Sequence, residues 1–355
     1  MKKSPKLILK KNSKFEPVVT IVVPVYNQEE NIIEVLDSIV NNMVLTAQII
    51  VIDDRSSDDT LNIVRNWVTN SDTSERSFEI YSFKKSVYET ACDSFGISCA
   101  KSKYIIEIQA DMIFTDFGFD KRLLEALTNR DDTFIVSGKG THTWKEASDD
   151  YVKSLGAPLA FSSSILVFAI NQLRGYIGNF LRKILNNNNQ NHSVNIYNEI
   201  NPDEAKITPD QGQFSLNGRA GILGSDIFTP HKFTDEQKQT IYYGETVMRG
   251  PIIIDREKYF EIGGLDTARF FLGGDDHDLT LRGWQKKKYR SGYTPIEFYS
   301  PISSGTTRKS RNLRQILQLV WRLVKVKHIR KSSALYQYAL NPMKSAAPKR
   351  EITVY

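Results

Sequence analysis

Apolar residues run almost without interruption through Val18 to Tyr26 (VVTIVVPVY) and through Ala47 to Asp54 (AQIIVIDD). Such Val- and Ile-rich runs predict strands buried on both faces, as in a parallel sheet covered by helices. Between them Ile32, Ile33, Leu36, Ile39 and Val40 recur at helical spacing. After the second run Ser57 is a plausible N-cap, and Asp58 and Asp59 suit the positive end of a helix reaching about Val68. Phe78 to Phe83 (FEIYSF) and Tyr104 to Asp111 (YIIEIQAD) predict two more strands, with a helix from about Val87 to Ala100 between them. Strands alternating with helices predict an α/β fold with a mostly parallel central sheet flanked by helices. Sheets of this kind bind ligands beyond the carboxyl ends of their strands.

From about Trp144 to Tyr243 the alternation fails. Here lie the apolar stretch Leu159 to Ile170 (LAFSSSILVFAI), read as a buried or interfacial helix, and the polar tract Asn186 to His192, read as a solvated loop. Order returns at Met248 to Arg256 (MRGPIIIDR), a strand entering a short helix that stops at Gly263 and Gly264, and a helix is predicted from Asp275 to about Lys287. Farther on, Leu313, Ile316, Leu317, Val320, Trp321 and Val324 fall on one helical face with basic residues between them, a basic amphipathic helix. Packing on the domain and adsorption to an anionic membrane are both open to it. The expected divisions are 1–17 (extension), 18–143 (first half), 144–243 (insertion), 244–300 (second half) and 301–355 (basic tail).

Composition narrows the class. With 355 residues, 40% of them hydrophobic, the chain can bury a real core. The net charge of +6 is a local excess, because no acidic residue occurs from Phe298 to Arg350; nucleic acid is not an expected partner. No apolar run reaches the length of a membrane span, and the basic start MKKSPKLILKK leads into no secretory apolar region. A cytoplasmic chain, at most peripheral at the inner face of a membrane, is expected. Cys92 and Cys99 are too few for a zinc site and read as free thiols.

Three acidic clusters stand where apolar segments end. Asp53 and Asp54 close the second strand, where carboxylates can accept hydrogen bonds from a base or ribose, or simply cap the next helix. Asp111 closes the strand from Tyr104, where it can hold a hard cation. Such a cation would neutralise charge on a departing diphosphate. The third cluster is LGGDDHDLTLRGW: two glycines bring backbone close to a ligand, and three carboxylates sit on a first helical turn. Asp275 and Asp278 should repel, with Arg282 four residues on offsetting the second, which leaves Asp276 free to act as a base toward an acceptor hydroxyl. An acidic cation loop or a helix cap is the other reading, and His277 reads as structural.

Taken together, VTIVVPVYNQEENI, IIVIDDRSSDDT, YIIEIQADM and GGDDHDLTLRGW resemble the ordered signatures of family 2 glycosyltransferases with the GT-A fold. The likeness covers Val18 to about Met112 and about Glu245 to Tyr299. It implies a nucleotide-diphosphate sugar donor, a divalent metal (Mg²⁺ or Mn²⁺), and transfer to a glycan or lipid-linked acceptor, usually with inversion, in surface polysaccharide assembly. On the matching positions Pro24, Tyr26 and Glu29 belong to the donor loop, Asp53 and Asp54 to the base and ribose contacts, and Asp111 to the metal. Asp276 matches the catalytic base, Asp275 its acidic neighbour, and Arg249 and Gly250 a cleft-shaping segment. Two departures stand out. Gln109 replaces the first Asp of the D-x-D motif, and Asp93 replaces the Arg of an A-R-N-x-G run. Arg308, in GTTRKSRN, is a candidate substitute contact to the diphosphate or part of a solvated charge run. Sugar-phosphate nucleotidyl transfer is the second enzymatic reading, although PVYNQEEN lacks the glycine and the cation of a phosphate loop. A degenerate sugar-nucleotide fold used for membrane docking is the third.

Overall fold

The computed structural model describes residues 4–145, 214–215, 233–271, 273–299, 313–341, 347–349 and 351–355. The stretch Leu159 to Ile170, the tract Asn186 to His192 and Arg308 lie outside them.

The first half is built as its apolar pattern predicts. Strands β2 (Val19–Val25), β3 (Ala47–Asp53), β4 (Arg76–Ser82) and β5 (Tyr104–Glu107) are parallel in the order β4-β3-β2-β5. Helices α1 (Ile32–Asn42), α2 (Thr60–Asn70) and α3 (Glu89–Cys99) make the crossovers. Every residue of β2 and β3 is buried, and successive side chains serve opposite layers. Val19, Ile21 and Val23 pack with Ile32, Val35 and Leu36 of α1. Val22, Ile50 and Ile52 face the other way, onto Cys92 and Ile97 of α3. Each such Ile or Val contributes about 1.5–3 kcal/mol by leaving water. Close approach is required at Gly96, where a Cβ would lie 2.4 Å from a methyl of Val22.

The sheet is larger than the apolar runs announce. Strand β1 (Lys6–Lys11) pairs antiparallel with β4 at one rim. Beyond β5 come β12 (Ile252–Asp255), β7 (Thr133–Ser137), β13 (Arg290–Tyr293), β10 (Thr240–Gly244) and β15 (Glu351–Val354). Strands β2, β3, β4, β5, β7, β13 and β15 share one direction, and β1, β12 and β10 oppose it. Small additional sheets join β8 (Gly140–His142) to β9 (Phe214–Ser215) and β11 (Thr246–Val247), and β6 (Ile113–Phe114) to β14 (Phe298–Tyr299). The remaining helices are α4 (Phe119–Thr128), α5 (Asp235–Lys238), α6 (Arg256–Glu261), α7 (Asp275–Lys287), α8 (Leu313–Arg330) and α9 (Ala334–Leu340).

Three boundaries differ from expectation, each for a local reason. Helix α2 begins at Thr60 rather than after Ser57, because Ser57 N donates to Asn27 while Asp58 accepts from Thr60 N at 3.1 Å. Helix α3 begins at Glu89 because the Val87 and Tyr88 amides donate to Asp54, and Tyr88 has φ 70°. Strand β5 stops at Glu107, and a turn bond from Met112 N to Gln109 O (3.1 Å) carries Gln109 and Asp111 out of the ladder.

Register sets what meets at the sheet's carboxyl edge. Val22 stands opposite Glu107 and Val25 opposite Asp53, so both acids come to strand ends on that edge. Antiparallel β12 begins there too, with Ile252 opposite Glu107. The segment before it, including Arg249, is thereby delivered beside the acidic strand ends.

Candidate active site

Asp53 and Asp54 are both buried and are held by neutral donors. Asp53 accepts from Ser56 N (2.9 Å) and Ser82 Oγ (2.7 Å). Asp54 accepts from Ser86 Oγ (2.6 Å), Val87 N (2.6 Å) and Tyr88 N (3.0 Å). Burial pushes the Asp54 carboxyl up to about 6 against these bonds. An ionised carboxylate has more lone pairs than such bonds use, so both keep acceptor capacity. Pro24 is buried within β2, and Tyr26 follows the strand half-buried. Glu29 is exposed and ties the first loop to the second, its carboxylate accepting from Asp59 N at 2.8 Å.

The third acidic cluster lies at the start of α7. Gly273 and Gly274 have φ of +76° and +79°, a left-handed turn that glycine enters without strain, and the helix begins at Asp275 directly after them. The three carboxylates part company there. Asp278 is held by Arg282, whose Nε donates to it at 2.6 Å while its Nη atoms reach Ile262 O and Gly264 O. Asp275 turns to Arg249, whose Nη1 lies 3.1 and 2.9 Å from its two oxygens. Asp276 is not left free, as its spacing suggests: one oxygen accepts from His277 N at 2.9 Å, and the residue is buried. His277 Nδ1 lies 3.0 Å from Thr246 Oγ1. The Thr280 hydroxyl, 2.8 Å from Thr246 Oγ1 and bonded by Trp144 Nε1 at 3.2 Å, fixes this turn against β11.

Arg249 is the centre of the site. Its Nη2 donates to Asp93, and its Nε stands 3.6 Å from both Glu89 and Glu107. Four carboxylates from α3, β5 and α7 thus surround one guanidinium. Burial pushes Glu107 up to about 8 and Asp275 up to about 6, with Arg249 opposing both shifts. Asp93 is raised by the same burial. Asp93, Glu107, Arg249, Asp275 and Asp276 line one small cavity with Ile252 and Leu279. Gln109 belongs to this group, because its Nε2 donates to Glu89 at 2.8 Å. Asp111 follows two residues later and is half-buried.

Sequence reasoning missed Glu89 and Glu107. The signal was a charge inside an apolar strand (YIIEI), which demands a partner. Asp93, noted as a lost cation, finds its counter-charge in Arg249. The chain's end also reaches the site: Arg322 of α8 sits 4.5 Å from the ring centres of Tyr88 and Phe271, with Tyr88 N on Asp54.

Residues 20–180 match the family model described as Glycosyl transferase family 2. A dolichyl-phosphate beta-glucosyltransferase of Dictyostelium discoideum is 24% identical over 148 residues, 39% of this chain and 44% of that protein. The chain thus spans less than half the length of that curated relative. Among solved structures, the mannosyltransferase PcManGT from Pyrobaculum calidifontis in complex with GDP-Man and Mn²⁺ is 16% identical, with a TM-score of 0.44 over 93% of this chain and 71% of that one. GalNAc-T7 with UDP, GalNAc and Mn²⁺ is 11% identical, with a TM-score of 0.49 over 92% and 56%. S. aureus TarS residues 1–349 with UDP are 12% identical, with a TM-score of 0.42 over 91% and 70%.

Proposed function

We propose that this chain, whose residues 20–180 belong to the family 2 glycosyltransferases, transfers a sugar from a nucleotide-diphosphate donor to a hydroxyl of a glycan or lipid-linked acceptor, with inversion. The observation that carries this reading is the placement of Asp276. It stands on the first turn of α7, in the cavity that Arg249, Glu107 and Asp275 share at the carboxyl edge of the parallel strands. A carboxylate so placed can take the acceptor's proton as its oxygen attacks the anomeric carbon, which contributes typically about a hundredfold to ten-thousandfold in rate. Asp275 supports it indirectly, by anchoring the start of α7 to Arg249. The donor lies against Pro24, Tyr26, Glu29, Asp53, Asp54 and Gln109, and Asp111 is the motif's carboxylate for a divalent metal. When bound, that ion neutralises charge on the departing diphosphate. The fit to such an ion is one of donor type, since Asp111 offers carboxylate oxygen, the ligand that a hard divalent ion takes.

Helix α8 extends the reading to the acceptor. Its Leu317, Trp321 and Val324 are 59%, 73% and 46% exposed on one face, with Lys325 and His328 exposed beside them. Such a face suits shallow insertion among anionic headgroups, where a lipid-linked acceptor would be presented. Among the described residues no helix is long and apolar enough to cross a membrane.

Incubation with UDP-, GDP- and dTDP-sugars and Mn²⁺ tests the reaction. At least one donor should be consumed, and Asp276→Asn should slow its use by about a hundredfold or more with an unchanged melting temperature. If no donor is consumed and the substitution alters nothing, the proposal fails. Pyrophosphate released from a nucleoside triphosphate and a sugar phosphate would instead assign nucleotidyl transfer. Cosedimentation with anionic vesicles, weakened by Trp321→Ser, tests the membrane contact.

A further inference from the structure

The guanidinium of Arg249 does not satisfy the carboxylates around it equally. Its two Nη atoms are committed, Nη1 to both oxygens of Asp275 and Nη2 to Asp93. Its Nε, 3.6 Å from Glu89 and from Glu107, makes no hydrogen bond with either. Glu107 is 1% exposed, and neither of its oxygens accepts a hydrogen bond; Oδ1 of Asp93, equally buried, accepts none either. A buried carboxylate oxygen without a donor is costly, so this corner of the cluster is built for something besides Arg249.

What it lacks is positive charge, and what it offers is oxygen. One ligand atom from each of Glu89, Asp93 and Glu107 lies within 4.8 Å of the others. Oxygens about 2.0–2.6 Å from a common hard cation can be separated by up to about twice that distance, so one ion can touch all three with small side-chain shifts. We propose that Glu89, Asp93 and Glu107 form a divalent-cation site, with Glu89 supplying from α3 a carboxylate that the strand's own motif lacks at Gln109. The amide of Gln109 marks the substitution, because it donates to the Glu89 carboxylate at 2.8 Å and holds it where the segment after β5 passes. Arg249 keeps Asp275 and the start of α7 in place beside the ion. In a glycosyl transfer this cation would sit among the catalytic carboxylates, and only that role rests on the reading above; the site itself rests on the geometry.

Mn²⁺ binding to the full chain without nucleotide, followed by electron paramagnetic resonance, tests the assignment independently of turnover. The protein should bind Mn²⁺, and Glu89→Gln and Glu107→Gln should each weaken binding at least tenfold. Adding Gln109→Asp to Glu89→Gln should recover affinity, because it returns the missing carboxylate to the strand segment. Thermal unfolding of each variant separates lost binding from lost folding, and Glu89, half-buried on a helix, is the site most tolerant of exchange. Anomalous scattering from Mn²⁺-soaked crystals should place the ion between Glu89 and Glu107. Wild-type affinity in both glutamine variants overturns the site. Donor consumption would still stand or fall by its own assay.

Discussion

Two groups of carboxylates lie along the same sheet edge, and they are treated in opposite ways. Asp53 and Asp54 meet backbone amides and serine hydroxyls, five neutral donors between them. Glu89, Asp93, Glu107 and Asp275 share one guanidinium, and Glu89 also accepts from the Gln109 amide. The first arrangement closes on itself: the acids fold the loops that carry their donors. The second leaves a deficit of positive charge in a cavity. Burial and residue type do not separate a carboxylate supplied with local donors from one short of them; the elements that surround it do.

The contrast can be broken at Arg249. Arg249→Met removes the guanidinium from three buried carboxylates and the half-buried Glu89, and should cost about 3–5 kcal/mol in urea unfolding, the usual consequence of orphaning buried charge. Unchanged stability would mean that the cluster neutralises itself by other means. A smaller effect probes the self-contained pair through pH. The Asp54 carboxyl is raised in the folded protein from its ordinary 3.8 to about 6, chiefly by burial. Its protonated form therefore favours folding. That contribution is whole below the ordinary value and is lost as pH rises through about 6. Against Asp54→Asn, the relative stability of the unmodified protein should fall by up to about 3 kcal/mol between pH 4 and pH 7. A difference that is flat with pH would place its titration elsewhere. Smallest is Ser86→Ala, which deletes one donor to Asp54 and should cost about 1 kcal/mol, because two amides remain. A loss as large as that of Arg249→Met would erase the distinction between the two groups.

Much of this was legible in the chain and some was not, for physical reasons. Strands β2 and β3 and helix α7 were readable almost to the residue, since burial on both faces and a glycine pair before a polar turn leave plain patterns. The pairing of Asp278 with Arg282 was readable because it is local, four residues along one helix. The centre of the site was not. Arg249 stands 156 residues from Asp93 and 26 from Asp275, and only the antiparallel insertion of β12 beside β5 joins them. Spacing gave no hint that Asp275 would turn away from Asp278. Strands β1 and β15 were missed because four to six residues at a sheet rim, half-exposed, make little periodic signal.

Those two rims differ in one further respect. Strand β1 carries Lys6, Lys10 and Lys11 along its edge, and Lys10 is paired with Glu79 at 3.0 Å. Strand β15 shows Ile352 and Val354 at 52% and 62% exposure. Lysines on an edge strand repel a second sheet, whereas exposed β-branched residues invite one. Among the described residues, the β15 rim is therefore the one that would invite a second copy in concentrated solution, and Val354→Lys is the simplest way to discourage it.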